Sequence, residues 1–467
     1  MHGFMADTST LRARMMARIH VPEALLARLG WATLGYVLVQ GMRFGANLVL
    51  TRLLAPELFG IMILLTSLRV GLELFTDIGI GQNVVSSPNA TDPRFYNTAW
   101  TLQVIRGVAL ALIALLLQPV ISHFYGDPTL HKILPFMSLF LLMTGFVSIG
   151  QPLAVKQLAI DRTSMFEVAI CFVGNIFLIG AAWIWPNIWG LLAGSLLASF
   201  TGIVLSYFIK PEIKHRLLID WDYVREILGF GKWVFISSIV FFLALNFDRL
   251  ILAKYVSFAA LGIYGIARTL SDVFAQFSVK LGAEIVFPSV AAATVRGVEL
   301  QRKLAHRRMQ FQAATMVAIA GVIALSDFII RIYDVRYHSA AQLLPWVSVA
   351  AWLMILSTLN ENLMLGLRKP HYSAFGSAAK LLGLAVLLPI GLMRYGIAAA
   401  AVATVLAELM RYACLSVGQA RLKVTFIRQD LLATIALIAL AYAIRWVTFQ
   451  IGLTGAPGEL FRITMYR

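Results

Sequence analysis

Apolar residues fill the chain in stretches of about twenty, the length a helix needs to cross a bilayer's hydrocarbon layer. Thirteen such stretches fall near residues 31–51, 59–84, 98–120, 133–155, 165–185, 188–209, 232–253, 259–287, 311–333, 341–365, 372–393, 396–418 and 431–451. None alternates polar and apolar with period two, which argues against a transmembrane β-barrel. The runs follow one another too closely for separate water-soluble cores. The pattern therefore predicts an all-α polytopic membrane domain, with short amphipathic helices at 21–30 (VPEALLARLG) and 221–230 (WDYVREILGF) lying at the interface before two of the spans.

A duplication lies within this pattern. Shifting the chain by 202 positions matches Trp31 with Trp233, Leu48 with Leu250, Leu50 with Leu252, Arg52 with Lys254, Gly60 with Gly262 and Ile61 with Ile263. A unit of six helices returns the chain to its starting side, so two such units are parallel repeats. The expected organisation is an N-terminal segment 1–30, a lobe over 31–209 and a linker over 210–231. A second lobe over 232–418 and an extra helix with a tail over 419–467 complete it. Lys and Arg divide unevenly between the two sides, 22 against 8, with the N-terminus on the richer side. Orientation follows such short-loop charge, which predicts a cytoplasmic N-terminus.

Composition agrees: 60% of the 467 residues are hydrophobic and 13% charged. The net charge of +16 permits nucleic acid, anionic lipid or an anionic substrate as partner. Basic stretches such as RKLAHRR at 302–308 fit a solvated cytoplasmic face better than nucleic acid. Cys171 and Cys414 sit in apolar runs and suggest neither a disulfide framework nor a metal site. The first 30 residues lack the short apolar core and cleavage site of a removable signal peptide.

Nine of the 39 basic residues fall inside the predicted spans: Arg43, Arg69, Arg106, Arg249, Arg268, Lys280, Lys380, Arg411 and Arg445. A charge at the bilayer centre costs roughly 2.5–3.5 kcal/mol on insertion scales, so each must face protein or water. Two spans carry charges at four-residue intervals. The second has Arg69, Glu73 and Asp77; the eighth has Arg268, Asp272, Gln276, Lys280 and Glu284. Four residues rotate a helix about 40° beyond a full turn, which keeps Arg69, Glu73 and Asp77 on one face. Arg69 with Glu73 and Arg268 with Asp272 could simply neutralise one another. Arg43, Arg106, Lys380 and Arg445 have no acid at such spacing in their own helices, which leaves an excess of cations. Arg249 adjoins Asp248, and neighbours in sequence do not face each other on a helix. A hydrated chamber lined by arginines attracts an anion, and the planar guanidinium suits phosphate. Arg43, Arg69, Arg249 and Arg268 are thus candidate substrate ligands. Glu73, Asp77, Asp248, Asp272, Glu361 and Glu408 are either their charge partners or sites for a coupling proton or sodium ion.

LAPELFG at 54–60, FDRLILA at 247–253, LGIYGIARTL at 261–270 and FPSV at 287–290 resemble the bacterial polysaccharide transporters, the Wzx-type flippases of lipid-linked oligosaccharides. These share a superfamily with lipid II flippases and multidrug-and-toxin exporters. The resemblance implies two six-helix lobes related by a pseudo-two-fold axis around a central cavity, followed by one or two further helices. It also implies an undecaprenyl-diphosphate-linked oligosaccharide as cargo, moved from the cytoplasmic to the periplasmic leaflet of the inner membrane, alongside other polysaccharide export components. Cavity arginines would hold the diphosphate.

An ion-coupled multidrug exporter of the same superfamily is the alternative, although organic cations call for an acidic cavity. A membrane glycan polymerase or ligase would need a larger external site than these short loops offer. There is no Walker A loop for ATP, and no cofactor is expected. His123, His131 and His338 are scattered and fit surface positions better than metal or acid–base chemistry. Trp183, Trp185 and Trp189 fit an interfacial belt better than a sugar-stacking surface.

Overall fold

The computed structural model describes residues 23–157, 159–281, 286, 290, 295, 297–367 and 369–462. The N-terminal segment to residue 22, Glu284, most of the motif at 287–290 and the side chain of Lys280 lie outside this description. Sixteen α-helices are described: α1 (Glu23–Leu53), α2 (Pro56–Leu74), α3 (Ile80–Ser86), α4 (Pro93–Tyr125), α5 (Pro128–Gly145), α6 (Gly150–Lys156), α7 (Ile160–Ile184), α8 (Ile188–Phe208), α9 (Trp221–Tyr255), α10 (Phe258–Leu281), α11 (Gly297–Ala324), α12 (Ser326–Arg331), α13 (Ala340–Gly366), α14 (Pro370–Tyr395), α15 (Ile397–Arg421) and α16 (Ile427–Gln450). Every predicted span overlaps one of them. Among the described residues, eight helices are long and apolar enough to cross a membrane, or nine if the bent pair α5–α6 counts as one span. Four other long helices, α1, α2, α9 and α11, carry Arg43, Arg69, Arg249 and Arg308.

The local structure differs from the sequence expectation at four places. The second span is broken: α2 ends at Leu74 and α3 starts only at Ile80. Gly79 takes a left-handed conformation (φ 64°) and donates its N–H to Asp77 Oδ1 at 2.9 Å. A short carboxylate that competes for backbone N–H beside a glycine ends a helix. The fourth span bends by 51° between α5 and α6. Residues 221–230 form the first turns of the continuous α9, and residues 23–30 likewise run directly into α1, so neither is a separate interfacial helix. The basic stretch at 302–308 is helical, within α11, and Arg308 is buried.

Arg308 shows why burial was missed. Its guanidinium donates to both oxygens of Asp430 on α16 at 2.8 Å and to Asn360 on α13 at 2.8 Å. Gln312 and Tyr412 also donate to Asp430, at 2.7 and 2.8 Å. Removing one partner of a buried pair leaves a desolvated charge. Asp430→Ala is expected to cost about 3–5 kcal/mol of stability, and Arg308→Ala a similar amount. The double substitution should recover much of the loss. Thermal unfolding of purified variants checks this, and a shift below that equivalent to about 1 kcal/mol for Asp430→Ala would show the pair to be dispensable.

The ends of the bundle differ. At the end where α1 meets α2, one apolar cluster joins both halves: Leu50, Leu54, Leu64 and Leu134 pack with Leu252, Leu261, Tyr264 and Leu344. Here α2 crosses α10 at glycines. A Cβ on Gly60 would lie 1.9 Å from the Phe258 carbonyl oxygen, and one on Gly262 2.1 Å from that of Pro56. Both glycines and both carbonyls are related by the 202-residue shift, so the pseudo-two-fold axis passes through this contact. At the opposite end two clusters stand apart, one around Val84 and Phe95 with Ile227 from the first turns of α9, and another around Leu300, Leu363 and Leu415. The last helix, α16, packs on α11.

The segment between α8 and α9 is strapped along α4. Backbone N–H groups of Arg216, Leu218 and Asp220 donate to Asn97, Thr101 and Thr98 at 2.8, 3.0 and 3.1 Å. This every-second-residue pattern is that of extended chain. His215 Nε2 accepts the Ile149 N–H at 3.2 Å, at the α5–α6 bend. Burial pushes the imidazole below its usual value of 6.5, because desolvation disfavours the charged form. The contribution of this contact is therefore complete above the ordinary histidine range and is lost as pH falls through the lowered value. Protection of the Ile149 amide against hydrogen exchange, relative to its intrinsic rate at each pH, should fall as the imidazole takes up its proton below the ordinary histidine range, and this fall should vanish in His215→Gln. An unchanged profile would exclude the imidazole as the cause.

Candidate functional site

Two chambers lie where the charged helices converge. The first, about 420 Å³, sits inside the N-terminal half between α1, α2, α5, α7 and α8. Arg43 and Arg69 line it with Thr66, Asn175, Ser195 and Ser199. The second, about 310 Å³, lies between the halves, with Arg43, Asn47 and Asn175 on one wall and Arg249, Asp272 and Gln276 on the other. Arg43 and Asn175 border both chambers.

The arginines differ in their freedom. Arg43 is exposed, and no carboxylate lies within ion-pair distance of it among the described residues. Arg69 likewise makes no ion pair there; its guanidinium stands 5.8 Å from the Phe140 ring centre. Arg249 donates to Asp272 Oδ2 at 3.1 Å while still facing the second chamber. Arg268 is buried, 2.9 Å from Asp272 Oδ1 and 4.0 Å from Asp248 Oδ2, and borders neither chamber. It is bound up by carboxylates rather than presented to a substrate.

The expected excess of cations also shrinks, because partners come from other helices. Arg106 donates to Thr76 at 3.2 Å and to the Glu73 carbonyl, and lies 3.9 Å from Asp77. It thereby caps the open C-terminus of α2, where carbonyls favour a cation. Lys380 pairs with Glu408, Arg411 with Glu361 and Glu408, and Arg445 with Asp327. Spacing along one helix could not reveal these pairs. Asp77, off the end of α2, accepts from Ser238 at 3.3 Å. Asp248 accepts from Tyr264 at 2.7 Å. Glu73 remains on α2, and its Oε1 is buried with no hydrogen-bond partner. Glu361 accepts from Ser373 as well as Arg411.

Among the described residues, four intramembrane bases of the C-terminal half, Arg249, Arg268, Lys380 and Arg411, are paired with four acids, Asp248, Asp272, Glu361 and Glu408. Within its spans the N-terminal half holds Arg43, Arg69 and Arg106 against Glu73, Asp77 and the exposed Glu167 of α7, which lines neither chamber. Arg43 and Arg69, which make no ion pair among the described residues, border the chambers. Asn175, Ser195 and Ser199, which sequence reasoning had not singled out, add neutral hydrogen-bonding groups to the same wall. Their only sequence signal is polarity within apolar helices. Trp183, Trp185 and Trp189 stand exposed at the α7–α8 turn, as an interfacial belt would.

Two helical lobes meeting on a pseudo-two-fold axis, with charge gathered around internal chambers, define a polytopic membrane protein of the two-lobe exporter fold. Solved structures share that fold. The lipid II flippase MurJ in its inward closed conformation superposes with a TM-score of 0.71 over 92% of this chain and 94% of that one, at 12% identity. An inward-facing multidrug resistance MATE family transporter gives 0.52 over 89% and 98%, also at 12% identity. Residues 49–334 match the polysaccharide biosynthesis protein family, and the chain belongs to that family. Its relatives include the teichuronic acid biosynthesis protein TuaB of Bacillus subtilis, 20% identical over 63% of this chain and 61% of its own length. The lipopolysaccharide biosynthesis protein WzxC of Escherichia coli is 21% identical over 71% and 68%. The chain thus covers less than two thirds of TuaB and slightly more of WzxC.

Proposed function

We propose that this protein is a flippase that carries an undecaprenyl-diphosphate-linked oligosaccharide across the bacterial inner membrane, from the cytoplasmic to the periplasmic leaflet, by alternating access. The N-terminus is cytoplasmic in this reading, so the end where α1 meets α2 is periplasmic. The observation that carries the proposal is the pair Arg43 and Arg69, two guanidinium groups on one internal chamber that make no ion pair among the described residues. A diphosphate supplies the charge and the paired oxygen acceptors that such groups lack. Arg249 faces the headgroup from the other lobe. Asn175, Ser195 and Ser199 offer hydrogen bonds to oxygen atoms beside the phosphates. An organic cation would meet a repulsive wall here, which weighs against the drug-exporter alternative. No catalytic role is proposed for any residue, and the cargo gradient or a proton or sodium gradient would supply the energy.

Transport by the purified protein tests the reading. Proteoliposomes loaded with a labelled lipid-linked oligosaccharide should show leaflet exchange far faster than protein-free vesicles. A rate equal to that of empty vesicles, across imposed proton and sodium gradients, would refute the flippase assignment.

A further inference from the structure

Asp272 occupies an unusual position among the charges. Its two oxygens are divided between two arginines, Oδ1 with Arg268 at 2.9 Å and Oδ2 with Arg249 at 3.1 Å. The two partners are not equivalent. Arg268 is buried, with Asp248 as a second acid at 4.0 Å. Arg249 is about a quarter exposed, borders the interlobe chamber, and has no carboxylate other than Asp272 within ion-pair distance among the described residues. Its Nε is buried and unpartnered. If Arg249 swings away, Asp272 keeps Arg268, so the move strands no buried carboxylate. Stranding is what makes the breaking of most buried pairs prohibitive.

We propose that Asp272 is an internal substitute for the substrate's phosphate, holding Arg249 while the chamber is empty and yielding it when a phosphorylated headgroup arrives. Arg268 makes the exchange reversible by keeping the released carboxylate neutralised. Asp272 is thus a positioning residue: it acts on the substrate only through Arg249. The proposal rests on the phosphate-binding reading above and adds a competitor that sets affinity. A diphosphate resting on Arg43 lies across the same chamber from Arg249, so exchange ties headgroup binding to both lobes. A carboxylate competitor also limits tight retention, which a carrier must avoid in order to release its cargo.

Binding of inorganic pyrophosphate to the purified full-length protein, at fixed ionic strength, provides the test. Asp272→Asn should tighten binding roughly tenfold, a change of about 1.4 kcal/mol. Because that variant also removes a negative charge and leaves Arg268 less compensated, the decisive variant is Asp272→Asn with Arg268→Gln. This pair leaves net charge unchanged and frees Arg249 alone, while Asp248, which loses Arg268, keeps its hydrogen bond from Tyr264. It should still show the tenfold gain, and Arg249→Gln added to it should abolish the gain, giving a coupling energy in the mutant cycle. A charge-neutral pair that binds like wild type, or a gain that survives Arg249→Gln, would overturn the proposal. If Arg43→Gln abolishes pyrophosphate binding while the Asp272 variants change nothing, the phosphate-binding reading stands and only the substitute role fails. If the wild-type protein binds no pyrophosphate, both fail together.

Discussion

Replacing Arg43 and Arg69 together by glutamine is expected to lower export of the lipid-linked glycan by roughly a hundredfold or more. Each charge-assisted contact contributes about 1.5–3 kcal/mol, equivalent to roughly tenfold to a hundredfold in affinity. Neither residue makes an ion pair among the described residues, and Glu73, the carboxylate nearest in sequence to Arg69, keeps Arg106 as a second cation. The variants should therefore fold and reach the membrane at normal levels, which separates them from substitutions in the ion-paired lobe. Arg268→Gln, in contrast, should lower abundance as well as export, because it releases Asp272 and Asp248. Complementation of a strain lacking its own flippase, read beside membrane protein levels, makes the comparison. Full export by Arg43→Gln/Arg69→Gln would remove the chamber from consideration as the headgroup site.

A methyl group at the lobe crossing should have the second large effect. Gly60→Ala places a carbon within 1.9 Å of a backbone carbonyl, and Gly262→Ala does the same at 2.1 Å. Backbone cannot move aside as a flexible side chain can, and such overpacking costs about 1–3 kcal/mol or more. The cost falls only on the conformation in which α2 and α10 touch. Under the proposed sidedness, that is the one closed toward the periplasm. Each substitution should therefore shift the protein toward periplasm-open forms, by roughly tenfold to a hundredfold in population, and slow export accordingly. Labelling of a cysteine placed at Asn47, on the interlobe chamber wall, by a membrane-impermeant reagent added from outside should become faster. Unchanged labelling in both alanine variants would mean that this crossing does not separate during transport.

The positions of the helices were legible in the sequence because a bilayer demands about twenty apolar residues per span. The duplication was legible because Gly60 and Gly262 keep their register where the lobes touch. What the sequence concealed were the interruptions and the partners. Asp77 looked like the third member of a helical stripe, yet its carboxylate binds the Gly79 N–H and helps end the helix that would have carried it. Arg106, Lys380 and Arg445 looked unpaired because their acids or carbonyl groups lie on other helices. Arg308 looked like part of a solvated loop, although Asp430, 122 positions away, draws it into the interior. Of the stripe Arg69, Glu73 and Asp77, Arg69 alone borders one of the two chambers. Pairings of this kind depend on helix packing, which periodicity does not encode.

The strap along α4 alters where the molecule divides. Beyond it, Tyr223 at the start of α9 donates to Asp92 at 2.8 Å, and Glu226 accepts from Ser87 at 2.6 Å. Further along, Phe242 stacks edge-on against Phe75. Only near Leu252 does the same helix enter the apolar cluster shared by both halves. The genetic seam of the duplication therefore lies in one place and the flexing point in another. Under the proposed alternating access, rocking of one lobe is absorbed within the length of a single rod, whose first turns are riveted to the opposite lobe.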